Sequence, residues 1–205
     1  MRNKLLAALS VAAVAFGGTA NAASIIADEV IDFFDSGAGP IAGPYGGTFP
    51  GTGNVPVPLS HAVDGNDTTY VSLPTGTFII VKFNSGVVVD GMGDDLFIDE
   101  VGNGAENATI EVSEDGINFF SVGTAFGDQT SNFDLSTVFA NHGLAFVQFV
   151  KVTGLDNGGG VPGFDLTLVE GLEGSIAPPP EVPVPAAALL FGPVIAAFVA
   201  RRKKR

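Results

Sequence analysis

Residues 108–122 read ATIEVSEDGINFFSV, and this stretch decides the fold. In an extended chain Ala108, Ile110 and Val112 share one face while Thr109, Glu111 and Ser113 share the other, because strand side chains alternate with a period of two. Asp115-Gly116 follows, a pair suited to a tight turn. Residues 117–122 then return. The pattern predicts a β-hairpin with one buried face and one wet face.

Outward from the hairpin the same grammar repeats. Residues 77–83 form an Ile- and Phe-rich run, and 87–89 and 96–98 are shorter runs separated by an Asp/Gly segment. Residues 144–152 are apolar on both faces except for Gln148 and Lys151, which predicts a central strand. Residues 164–170 make the last strand. Helix-period patterns are missing, and Gly, Asn and Asp clusters punctuate the runs, as in an all-β sandwich or barrel. The expected fold is an antiparallel β-sandwich over residues 23–177, large enough for one domain with its own core. Residues 35–58, rich in Gly and Pro, are expected to be a long surface loop.

Both ends read as signals. Arg2 and Lys4 precede an apolar run over residues 5–16, and Ala20-Asn21-Ala22 supplies small residues for cleavage. This order predicts a secretory signal peptide over residues 1–22 and export by the Sec route. At the other end, prolines from Pro178 to Pro185 enforce extended chain. An apolar stretch over 186–200 and the basic cluster 201–205 follow. About fifteen residues at ~1.5 Å each fall short of a ~30 Å hydrocarbon core, so this is a marginal span with its basic end on the cytoplasmic side.

Three parts in this order resemble the PEP-CTERM sorting signals of Gram-negative bacteria, nearest to the VPLPA variant. The motif residues are Val182, Pro183, Val184, Pro185 and Ala186, with Val184 where that variant carries leucine. The resemblance covers residues 178–205. It implies recognition by an exosortase, contact with the membrane through the C-terminal segment, and transfer to the cell surface or extracellular matrix.

Charge narrows the partners. All 22 acidic residues lie between Asp28 and Glu181, where Lys82 and Lys151 are the only basic ones. Such a surface repels nucleic acid and anionic headgroups and favours divalent cations. Cysteine is absent, which excludes disulfides and thiol chemistry.

Residues 60–172 further resemble the galactose-binding-like jelly roll of discoidin domains. The likeness rests on AVDGNDTTY (62–70), IEVSEDGINF (110–119), AFVQFVKVT (145–153) and the closing strand with its glutamate. Tyr70 stands where tryptophan is usual, and Gln148 where arginine is usual. The resemblance implies a structural calcium ion held by Asp64 and Glu170, with Asp67 and the Thr68 or Thr69 oxygens as further ligands. Two readings stand for these residues. In one, a hard cation with oxygen ligands offsets a buried Glu170 in a domain short of basic partners. In the other, Glu170 is solvated at a strand end and Asp64-Gly65-Asn66 is a turn. Asp90, Asp94, Asp95, Asp99 and Glu100 form a second acidic group, read as a solvated loop.

Chemistry is weakly signalled. His61 and His142 are the only histidines, and neither has an identifiable partner for nucleophilic catalysis. Tyr45 and Tyr70, the only tyrosines, are candidate sugar-stacking residues, with a core-covering role as the alternative for Tyr45. The function expected is a non-catalytic, calcium-stabilised surface module that binds carbohydrate. A secreted hydrolase acting on polysaccharide and a purely structural matrix protein are the alternatives.

Overall fold

The structure, a computed structural model, describes residues 23–102, 106–127, 131–157 and 160–180. The expected signal peptide and the sorting motif Val182–Ala186 lie outside the described residues. In chain order the strands are β1 (Ile25–Ile26), β2 (Glu29–Phe34), β3 (Tyr45–Thr48), β4 (Val55–Pro56), β5 (Thr69–Leu73), β6 (Phe78–Lys82) and β7 (Val87–Val88). They continue with β8 (Leu96–Glu100), β9 (Asn107–Ser113), β10 (Phe120–Phe126), β11 (Ser131–Phe133), β12 (Phe149–Gly154), β13 (Phe164–Gly171) and β14 (Ile176–Ala177). A short α-helix, α1 (Ser136–His142), precedes β12, and a 3-10 turn spans Leu59–Ala62. Among the described residues no helix is long and apolar enough to cross a membrane.

Two antiparallel sheets face one another. One runs β10-β9-β12-β6-β2; the other runs β11-β8-β13-β5-β3-β4, with β1 also paired to β13. The expected sandwich is therefore present, and β12 is central as its two-sided apolar pattern predicts. Alternation builds the core. Ala108, Ile110 and Val112 of β9, Val150 and Val152 of β12, and Ile79 and Val81 of β6 are fully buried. They meet Leu96 and Ile98 of β8, Val71 and Leu73 of β5, and Phe164, Leu166 and Val169 of β13 in one cluster. On the outer face of the first sheet the two lysines sit opposite carboxylates, as register requires. Lys151 pairs with Glu111 at 3.0 Å and Lys82 with Glu29 at 3.6 Å.

Three expectations change. Residues 35–58 are not one loop: Asp35 accepts the N–H groups of Gly37 and Gly43 at 2.8 and 2.7 Å, and the chain then enters β3 and β4. The hairpin return begins at Phe120 rather than Ile117. Asp115 accepts the N–H groups of Ile117 and Asn118, both at 2.8 Å, which spends those residues on the turn and holds its carboxyl well below the usual range. The phase of β13 also slips. A bulge between Leu166 and Leu168 puts Val169, not Leu168, in the core cluster. Glu170 therefore leaves the core face that unbroken alternation assigns it, and it is half-buried on the other side.

Candidate functional site

The bulge sets Glu170 on the same side as its register partner Ile26, whose Cδ1 lies 3.6 Å from where a Cβ on Gly65 would stand. Glu170 and the Asp64 loop thus share a face. Within the loop, the Thr69 hydroxyl donates to the Asp64 carboxylate at 3.0 Å, and the Asn66 N–H donates to it at 2.9 Å. Asp64 and Asp67 are exposed. The loop is closed by its own hydrogen bonds, and Asp64, Asp67 and Glu170 do not close within 4.8 Å as a group of three. In identity and face these residues suit a cation; in closure, as they stand, they do not.

Among the described residues two other carboxyl groups of three do close to that distance. In the first, Asp90, Asp95 and Asp134, the central member is fully buried and fully occupied. Asp95 accepts the Gly91 N–H at 2.8 Å, the Ser175 hydroxyl at 2.5 Å and the Leu135 N–H at 2.8 Å. It ties the β7–β8 loop to the start of α1 and to the β13–β14 turn. The solvated-loop expectation fails at this residue, because three neighbouring segments point donors at it.

The second group, Glu100, Glu106 and Asp165, lies elsewhere in the fold. Val71 and Leu73 of β5 face the core, so Tyr70 and Ser72 face outward, and Asp165 sits opposite Ser72 in register. The Ser72 hydroxyl donates to Asp165 at 2.5 Å. Two loops roof this outer surface. The turn between β3 and β4 brings Phe49, Pro50 and Gly53, and the segment before β13 brings Val161. The Asn54 side chain donates to the Gly160 carbonyl at 3.0 Å and links the two. Gly53 is needed here, since a Cβ would stand 2.2 Å from the Val161 Cγ2. Between the loops opens a cleft of about 380 Å³ with Tyr70, Glu106 and Asp165 among its lining residues.

The cleft is electrostatically unusual. Asp165 is 6% exposed and its carboxyl is pushed up to about 8, by burial first, with the Glu106 charge adding and the Ser72 bond opposing. Glu106 is 3% exposed and is pushed up to about 7 by burial and then by Asp156, against a hydrogen bond from the Gly163 N–H. Gly163 holds that position with φ +112°, where a Cβ would stand 2.4 Å from the Pro74 nitrogen. Tyr70 is raised to about 12 by burial and by the same two carboxyls.

The tyrosines correct the expectation made for them. Tyr45 is 2% exposed, in a strand rather than a loop, and its hydroxyl donates to the Pro162 carbonyl. Its ring has no open face for a sugar, and it serves the core-covering role. Tyr70, 4% exposed, forms cleft floor rather than a stacking platform. Among the residues that line the cleft the exposed aromatic is Phe49, at 38%, a residue outside the Tyr candidates. Of the histidines, His142 stacks on Phe120 with ring centroids 4.0 Å apart, a packing role.

No protein-family model matches the chain, and no curated protein matches it. Among solved structures it is similar to the CBM32 of AlyQ in complex with 4,5-unsaturated mannuronic acid. That match has 13% identity and a TM-score of 0.42, over 62% of this chain and 97% of the other. It is also similar to the C-terminal domain of a chitobiase from Bacteroides fragilis, with 18% identity and a TM-score of 0.40, over 71% and 99%. A third is the family 89 glycoside hydrolase from Clostridium perfringens in complex with PUGNAc, with 13% identity and a TM-score of 0.43, over 89% and 19%.

Proposed function

We propose that this chain is an exported, non-catalytic surface module that binds a glycan in the cleft under the β3–β4 turn. The observation that carries the reading is the juxtaposition of an exposed aromatic, Phe49, with buried carboxyl acceptors in one open cleft. Sugars present apolar ring faces and many hydroxyl donors, so their sites combine an aromatic surface with a few fixed polar groups. The acidic setting favours neutral or amino sugars over uronates.

A glycan array probed with the domain tests this. Binding to neutral or amino sugars should fall at least about tenfold in Phe49→Ala, in line with loss of one aromatic contact. Calcium-dependent self-assembly with no sugar bound would replace this reading with the matrix one. Sugar turnover would restore the hydrolase.

The resemblance of the C-terminal segment supports processing by an exosortase at the surface of a Gram-negative cell. In the native host, mass spectrometry of the surface-displayed protein should lack residues 201–205; recovering them intact in most of the mature protein overturns that part. A structural calcium held by Asp64, Asp67, Thr69 and Glu170 would tie the early loop to β13, and oxygen-only ligands suit that ion.

A further inference from the structure

We propose that Glu100, Glu106 and Asp165 hold a divalent cation of the calcium class inside the cleft, apart from the Asp64 loop. Their ligand oxygens lie within 4.8 Å of one another, which is the spacing of groups that share one ion. The independent observation is Glu106 itself. It is 97% removed from solvent, it lines the cleft, and its Oε1 has no hydrogen-bond partner. Buried polar atoms are nearly always satisfied, so an orphaned carboxyl oxygen in an open cleft marks the place of a missing group.

The missing group is positive. Neither lysine of the domain reaches the cleft, because Lys82 and Lys151 are committed to Glu29 and Glu111 on the far sheet. A cation there would take hard, oxygen-rich coordination, since the chain has no cysteine and neither a methionine nor a histidine is among the residues that line the cleft. The Asp95 group shows the contrast: there the buried carboxyl already accepts three donors and leaves nothing for an ion. The cation inference does not depend on glycan binding, and its test contains no sugar.

Terbium is the probe. The chain has two tyrosines and no tryptophan, and Tyr70 lines the same cleft, so tyrosine-sensitised emission reports an ion bound there. Titrating Tb³⁺ into the full-length chain in detergent should give saturable emission that Ca²⁺ displaces. Glu106→Gln should weaken Tb³⁺ binding by about tenfold or more, because affinity follows the count of charged ligands. Asp94→Ala, which removes an exposed charge outside the cleft, should leave it within about twofold. Absence of emission, or parental affinity in Glu106→Gln, overturns the site.

Discussion

Asp95→Ala should lower the stability of the domain by about 3–5 kcal/mol, the scale for removing one member of a buried, fully engaged polar network. Alanine would strand the Gly91 and Leu135 N–H groups and the Ser175 hydroxyl, which lie on three separate segments. For a domain of this size the melting temperature should fall by roughly 10 °C or more. Asp94→Ala, one residue away and exposed, should stay within about 0.5 kcal/mol. Thermal or urea unfolding measures both. Equal effects at the two positions would mean that Asp95 is a solvated loop residue and not a junction.

In the absence of divalent cations, stability should fall as pH rises from about 4 to 8. The sign follows from the cleft. Asp165 and Glu106 ionise near 4 in the unfolded chain, whereas the folded chain holds them to about 8 and about 7. Across that window the folded state carries more protons than the unfolded one. Each retained proton therefore costs about 1.4 kcal/mol of stability per pH unit gained, until its folded value is passed. The ionisable groups facing them are Glu100, Asp156, Tyr70 and Tyr45, and none is cationic. Asp35 acts in the opposite sense at lower pH, because its lowered carboxyl contributes stability that is lost on acidification. Unfolding series at pH 5, 6, 7 and 8 with a chelator should show the decline, and Asp165→Asn should flatten it. A flat parental profile would show that the carboxyls are solvated.

Much of this fold is legible in the sequence because period-two alternation in β9 and two-sided burial in β12 each leave a pattern in single residues. The ends of the strands are less legible. Whether Ile117 belongs to a turn or a strand depends on how many donors Asp115 captures, and composition does not record that. The cleft was nearly invisible for a different reason. Glu106 sits in a Gly/Asn stretch that reads as an ordinary turn after Glu100 at the end of β8, and Asp165 comes from β13, far along the chain. One signal was available: Asp165 stands between Phe164 and Leu166 in a strand otherwise suited to a central position, and a carboxyl there requires an explanation. Phe49 is hidden in the same way, as one of 17 phenylalanines with no local pattern to set it apart from the core ones.

The bulge in β13 makes this strand two rulers joined out of step. Its first half counts Phe164 and Leu166 inward and Asp165 toward the cleft; its second half counts Val169 and Gly171 inward and Glu170 away. Thr167 is the joint, held by its hydroxyl to Asp99 at 2.6 Å. Excising that single residue would remove the bulge and leave the remaining side chains on their present faces, with Leu166, Val169 and Gly171 inward and Leu168 and Glu170 on the other side. Excising Val169 instead would leave the bulge in place and carry Glu170 into the core position that Val169 now fills, where a carboxyl is costly among apolar side chains. Length along β13 is therefore slack at the joint and tight beyond it: losing Thr167 keeps the pattern of faces, while losing a residue after it reverses that pattern.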